Sequence, residues 1–289
     1  MSFITKERLE SVEQSLAAVV SAQDGCEELC EAWRAHLATG GSRTRLLLAL
    51  TVGHEAGLPE STILHVALAV ELLHQASLIH DDLQERDLMR RGFPSVWAAY
   101  GDTTAINLGD LLITEAFTQL ASLDRSYSQS ISPLIQAMTA AVRTTICGQQ
   151  RDMRLINSQI SMDEYKKIVQ QKTGPLLGLP VQMVLLLKQE PDHLLELNAC
   201  IAGQFGLAYQ LIDDCLDFPE VTGVLNGLAV ISGQSKSLQE AKVICQIEIS
   251  RALKEGKNLV KSMPCYAQKG FRLIEDKILA VALQAKNAA

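Results

Sequence analysis

Aromatic residues are scarce: two tryptophans, five tyrosines and six phenylalanines in 289 residues. Since 47% of the chain is still hydrophobic, the apolar content is aliphatic and alanine-rich, which suits helices better than a strand-rich sandwich. The same figures exclude disordered and collagen-like chains, and a chain of this length can bury one sizeable core. No uninterrupted apolar run approaches the ~18 to 20 residues of a membrane-spanning helix; the longest, around Val184-Leu185-Leu186-Leu187, stops at Lys188. The N-terminus, Met1 to Glu7, lacks a basic region followed by an apolar stretch, so no secretory signal is read and a cytoplasmic location is expected. A positive excess is also missing. With 26 basic and 33 acidic residues the net charge is −7, which argues against a nucleic-acid surface and leaves any anionic substrate to local cations or a metal. Seven cysteines make an odd number without a CxxC metal pair, and Cys26 and Cys30 stand one helical turn apart. They are read as small core residues.

What is present is helical periodicity. Apolar residues recur at three- and four-residue spacing, as in Ile63, Val66, Ala67, Val70, Leu73 and Leu78 with Ala76 interleaved, and again in Val243, Ile247, Ile249 and Leu253. Prolines fall mostly between such runs, at Pro59, Pro94, Pro133, Pro191 and Pro264. About ten helices with short loops follow. No βαβ rhythm, solenoid repeat or flexible linker is seen, so residues 1–289 are expected to form a single all-α domain. The stretch 218–239, with Pro219, Gly223, Gly227 and Gly233, is read as a variant loop or lid.

Two acidic clusters ask for chemistry. Ser77-Leu78-Ile79-His80-Asp81-Asp82-Leu83-Gln84-Glu85 puts acids at i, i+1 and i+4 where a strongly apolar helix ends. Asp81 and Glu85 then share a face about 5 to 6 Å apart. Tyr209-Gln210-Leu211-Ile212-Asp213-Asp214-Cys215-Leu216-Asp217 repeats the pattern 132 residues further on. Carboxylates so placed repel one another unless a hard cation joins them. Oxygen ligands that fill only part of an octahedron suit Mg²⁺, which takes waters and phosphate oxygens for the rest. Cations stand near in sequence: Arg43 and Arg45 after Gly40-Gly41, Arg90-Arg91-Gly92 after the first cluster, and Lys172-Thr173. Arginine forks match phosphate oxygens, and lysine acts as a point charge. Paired acids, metal and cations beside an aliphatic interior describe a site for a diphosphate with an apolar tail.

On these motifs the sequence resembles the trans-isoprenyl diphosphate synthases, or polyprenyl synthetases. The resemblance runs from Gly41-Ser42-Arg43-Thr44-Arg45 through His74-Gln75-Ala76-Ser77-Leu78-Ile79-His80-Asp81-Asp82, Arg90-Arg91-Gly92, Asn107-Leu108-Gly109-Asp110, Gly148-Gln149-Gln150-Arg151-Asp152 and Lys172-Thr173-Gly174 to the second acidic cluster. It implies an all-α barrel of antiparallel helices around a deep apolar cavity, commonly a homodimer. It implies Mg²⁺-dependent head-to-tail transfer from an allylic diphosphate to isopentenyl diphosphate. By the same resemblance Asp81, Asp82, Glu85, Asp213 and Asp217 would hold metal, with Asp214 behind them. Arg90, Lys172 and Thr173 would serve the allylic diphosphate, and Gln210 would line its site. Arg45, His74 and Arg91 would bind isopentenyl diphosphate, and Asp81, Asp82, Lys172 and Asp213 would form the catalytic set.

Three positions depart from the family pattern. Glu85 closes the first motif where Asp is usual, Ser42 stands where Lys is usual, and no Gly-Lys loop follows the second motif, where Phe218 to Gly227 has no lysine. The lost cations leave two alternatives open: a terpene cyclase or a transferase with another acceptor on the same scaffold, and a non-catalytic partner subunit of an active synthase. Arg43 could compensate for Ser42 by turning inward. In this family the fifth residue before the first Asp often floors the product cavity; here it is Ala76, with Leu73 one turn deeper. A product longer than fifteen carbons, most simply C20, is expected.

Overall fold

The computed structural model describes residues 4–21, 26–155, 160–217, 226–233 and 237–288. It divides into two compact units, Met1–Ile135 and Gln136–Ala289. The described residues are helical almost throughout, as the periodicity requires.

In chain order the first unit holds α1 (Lys6–Ala18), α2 (Glu27–Ala38), α3 (Thr44–Glu55), α4 (Glu60–Glu85), a hairpin of β1 (Met89–Arg90) and β2 (Phe93–Pro94), α5 (Val96–Tyr100) and α6 (Asp102–Ala121). The helix α7 (Ser128–Arg154) begins in this unit. Thr5 caps α1 by accepting from the Arg8 amide, the usual way to satisfy a first-turn donor. The centre of the unit is α4, packed against α3 and α6. Ile63, Val66, Ala67, Val70 and Leu73 are all buried, as their spacing predicts. This helix is also long and apolar enough to cross a membrane, although no single run in it is. His74, Gln75 and Glu71 interrupt the runs, and 72% of the apolar window is buried inside the protein, which marks a core helix.

The hairpin is unforeseen. Met89 pairs with Pro94 and Arg90 with Phe93, so Arg91 and Gly92 form the two-residue turn, both with positive φ (53° and 82°). Such a turn matches the twist of the strands it joins. Two-residue strands leave no alternation to read.

The second unit holds the remainder of α7, then α8 (Met162–Lys172), α9 (Gly174–Leu187), α10 (Asp192–Asp217), α11 (Gly227–Ser232), α12 (Leu238–Val260) and α13 (Cys265–Ala288). Around α10 pack α8, α9, α12 and α13. Part of the expected loop at 218–239 is therefore helix: α11 lies within it and α12 starts at Leu238, while 218–225 and 234–236 lie outside the described residues. The predicted helix at α12 forms, but with another face inward. Val243 and Ile247 are exposed, and Ala241, Cys245, Ala252 and Gly256 are buried. Small residues let α12 approach α10 closely: a Cβ on Gly256 would stand 3.1 Å from the Phe205 ring. The cysteines are not uniformly core residues either. Cys30 and Cys245 are buried, but Cys147, Cys200 and Cys265 are exposed.

Candidate active site

The last turn of α4 separates its acids by burial. Asp81 and Glu85 are half-buried, whereas Asp82 is 1% exposed and turned inward. Arg90 reaches it from β1, donating from Nε to the two carboxylate oxygens at 2.8 and 2.7 Å and from Nη2 as well. Burial works against the charge on Arg90, but its hydrogen bonds to Asp82 together with the negative charges of Asp82, Asp81 and Asp87 outweigh this and raise its pKa. The hairpin thus commits Arg90 to Asp82. Helix α4 ends on Arg86 in a left-handed conformation, and Arg86 forks onto Asp102 at 2.9 and 3.0 Å.

A cationic cluster lies beside this turn. Arg45, from the first turn of α3, donates from Nη1 to His74 Nε2 at 3.0 Å. Because arginine can only donate, Nε2 must accept, which makes His74 neutral with its proton on Nδ1. Burial first, then the charges of Arg45, Arg91 and Arg90, hold its pKa well below the ordinary histidine value. Arg91, at the hairpin tip, donates to the Gly40 carbonyl in the loop before α3. Arg43 does turn inward, but toward protein: it donates to the fully buried Glu71 at 3.3 Å. It therefore balances a core carboxylate and does not replace the cation missing at Ser42, whose hydroxyl lies 2.8 Å from that of Thr44. Arg43 and Arg91 both sit at positive φ (46° and 53°), unusual for non-glycine residues and a mark of segments held by their surroundings.

In the second unit the predicted residues gather at the end of α8 and the end of α10. Lys172 Nζ lies 2.6 Å from Asp152 Oδ2 on α7. The two helices meet at Gly148, where a Cβ would overlap the Lys172 amide nitrogen. Thr173 joins α8 to α9 and lies against Gly206 of α10. Asp214 is buried and accepts three hydrogen bonds: from Tyr165 Oη and the Gly227 amide, both at 2.5 Å on Oδ2, and from Gln210 Nε2 at 2.9 Å on Oδ1. Burial pushes its pKa up and the donors pull it back. Burial, and then the Asp214 carboxylate, raise the Tyr165 phenol well above its ordinary range, so it stays a donor. Gln210 thus serves Asp214. Asp213 is half-buried beside it, and Asp217 is the last residue of α10. Tyr165 and Asn226, which donates to the Asp214 carbonyl at 2.9 Å, carry no motif signal and were missed by the sequence. Ala76 and Leu73 are both buried on α4.

The donor chemistry fits a hard divalent cation: Asp81 and Glu85 offer carboxylate oxygens one turn apart, while the intervening Asp82 is already matched by Arg90. Among the described residues, no three potential ligands are gathered around one point. A cavity of about 300 Å³ in the second unit is lined by residues of α7, α8, α9 and α10, with Ala137, Ala141, Gly178 and Ala202 beside the polar Gln170 and Asn198.

Comparison with known proteins agrees with these features. The family model described as polyprenyl synthetase matches residues 26–226. A probable farnesyl diphosphate synthase of Sinorhizobium fredii is 36% identical over 223 residues, covering 74% of this chain and 67% of its own. A geranylgeranyl diphosphate synthase of Methanosarcina mazei is 31% identical over 213 residues, covering 72% and 65%. Among solved structures, the geranylgeranyl pyrophosphate synthetase of Geoglobus acetivorans superposes with a TM-score of 0.82 at 22% identity, covering 94% of this chain and 98% of that one. That likeness establishes the all-α fold.

Proposed function

We propose a reaction for this chain from one premise: it belongs to the polyprenyl synthetase family, a family of prenyltransferases. The reaction is Mg²⁺-dependent, head-to-tail condensation of an allylic diphosphate with isopentenyl diphosphate, giving a trans-prenyl diphosphate. The arrangement that supports it is the division among the acids at the end of α4, where Asp81 and Glu85 are half-buried while Asp82 is matched by Arg90, with the neutral His74 and its Arg45 partner two turns earlier on the same helix.

Asp81 and Glu85 on α4, and Asp213 and Asp217 on α10, would hold Mg²⁺. When bound, Mg²⁺ neutralises the diphosphate and stabilises the charge that develops on it as it leaves. Asp82 and Asp214 then have a different duty from their neighbours: each is buried and fixes its turn, through Arg90 and through Tyr165. Arg45 and Arg91, with His74 held against Arg45, bind the diphosphate of isopentenyl diphosphate. Lys172 and Thr173 face the allylic diphosphate, whose departure leaves an allylic cation. The double bond of isopentenyl diphosphate attacks that cation, and a proton is lost to the released pyrophosphate. Aliphatic walls keep water from the cation.

The product is assigned as C20, because Ala76 lets the growing chain pass and Leu73 meets it one turn deeper. The family match runs without a break across residue 135, where the two units meet in sequence. That continuity supports one catalytic domain. A homodimer is proposed on the family's common form alone.

Steady-state assay of pyrophosphate release with isopentenyl diphosphate and an allylic diphosphate tests the reading. Release should require Mg²⁺ and vanish with chelator. Arg45→Ala should raise KM for isopentenyl diphosphate more than for the allylic substrate, and Asp81→Ala should lower kcat by about 10² to 10³, the range for loss of one electrostatic partner. Release that proceeds without isopentenyl diphosphate would support the cyclase alternative instead.

A further inference from the structure

One residue inside the second acidic motif has no part in the reaction above. Cys215 lies between Asp214 and Asp217 on α10, and its Sγ stands 2.9 Å from Sγ of Cys245 on α12. Both are free thiols; Cys215 is half-exposed and Cys245 is buried. The approach is built into the packing, since Cys245 belongs to the small-residue face that brings α12 against α10. Cys245 Sγ also donates to the Leu211 carbonyl of α10, one turn before Cys215, at 3.7 Å. An oxidant from solvent reaches Cys215 first, and the thiol placed to complete the exchange is Cys245.

We propose that Cys215 and Cys245 form a reversible disulfide site that ties the last turn of α10 to α12. The oxidant is a small-molecule disulfide such as oxidised glutathione. The Cys215 sulfur attacks one sulfur of that disulfide, whose S–S bond breaks; one glutathione leaves and takes up the proton given by Cys215. The Cys245 sulfur then attacks the Cys215 sulfur of the mixed disulfide, and the second glutathione leaves with the proton of Cys245. The two cysteines together lose two electrons, and glutathione disulfide gains them. The bonded turn carries Asp213, so, resting on the function proposed above, closure displaces an acid of the motif and lowers turnover. Small misplacements of binding groups are costly in such reactions.

Peptide mapping by mass spectrometry, after the full chain is incubated with oxidised glutathione and remaining thiols are alkylated, reads the bond without reference to activity. The expected result is a Cys215–Cys245 cross-linked peptide that dithiothreitol removes, and in Cys245→Ala a Cys215 that stops at the glutathione adduct. Cys215 and Cys245 both remaining alkylatable while exposed Cys147, Cys200 or Cys265 are modified would overturn the proposal, as would a glutathione adduct on Cys215 that persists in the unsubstituted chain. Turnover of the oxidised chain should fall at least fivefold and return with dithiothreitol, with Cys215→Ser indifferent to the oxidant. Equal turnover of mapped oxidised and reduced forms would refute the regulatory effect. A reduced chain with no turnover would contradict the assigned reaction and leave the mapping result to decide the thiol site.

Discussion

Asp82 is 1% exposed and accepts the Arg90 fork, so removing the carboxylate strands a guanidinium in a partly buried place. Asp82→Ala should destabilise the protein by about 3 kcal/mol, read from urea unfolding midpoints. Asp81→Ala, at a half-buried position one residue earlier, should cost about 1 kcal/mol or less while lowering kcat by about 10² to 10³. Equal stability losses would contradict the division of labour between the two acids. His36 makes a second case. It is buried against Gln75, 2.9 Å away, and burial, partly opposed by that hydrogen bond, lowers its pKa from 6.5 to about 4. The unfolded chain therefore binds this proton more readily than the folded one. Stability from the neutral ring is complete above pH 6.5 and declines as pH falls toward 4, by about 3 kcal/mol in all. His36→Gln should show a shallower loss over that window; an unchanged slope would count against it. At this scale the sequence was informative about residue types and silent about their orientation. Two adjacent aspartates read alike in a string, and only the hairpin that delivers Arg90 tells them apart.

Helix α11 is six residues long, too short to stand alone. It is held at its start by Asp214, whose Oδ2 accepts from the Gly227 amide while the Asn226 side chain caps the Ala229 amide at 3.0 Å. Gly227 is required by close approach, since a Cβ there would lie 2.7 Å from the Tyr165 ring. Tyr165→Phe keeps the ring and deletes the hydroxyl donor to Asp214, so it should cost about 1 to 3 kcal/mol in thermal or urea unfolding. Tyr165→Phe with unaltered stability would show that Asp214 is not pinned by this bond. The long helices were legible because apolar spacing repeats over many turns, as in Ile63 to Leu73 of α4. The turn Arg91-Gly92 and α11 were not, because both depend on partners distant in sequence. Val243 and Ile247 show another limit: the period gave the helix, but alanine, cysteine and glycine, not the larger residues, face α10.

For the whole molecule, the order of motifs along the chain carries more than any one of them. Two DDxx(D/E) clusters, Arg45 with His74, and Lys172-Thr173 stand in the order that the resemblance to the polyprenyl synthetases rested on, and the family model matches residues 26–226. What the sequence left open was whether Arg43 replaces the lysine missing at Ser42; the structure answers that it is spent on Glu71. On the proposed reading, binding of isopentenyl diphosphate would then rest on Arg45, His74 and Arg91. At this scale chain length is the sharpest expectation: Ala76→Phe fills a buried position on α4 and should shorten the main product by at least one five-carbon unit, as read by mass spectrometry of the extracted diphosphates. A product distribution that does not move would remove Ala76 from the floor of the cavity. The most direct test of the central claim is one incubation of the purified chain with Mg²⁺, isopentenyl diphosphate and the C5, C10 or C15 allylic diphosphate in turn, with every product identified by mass. The account predicts consumption of isopentenyl diphosphate and accumulation of a C20 prenyl diphosphate from each primer; isopentenyl diphosphate left untouched with all three would contradict it.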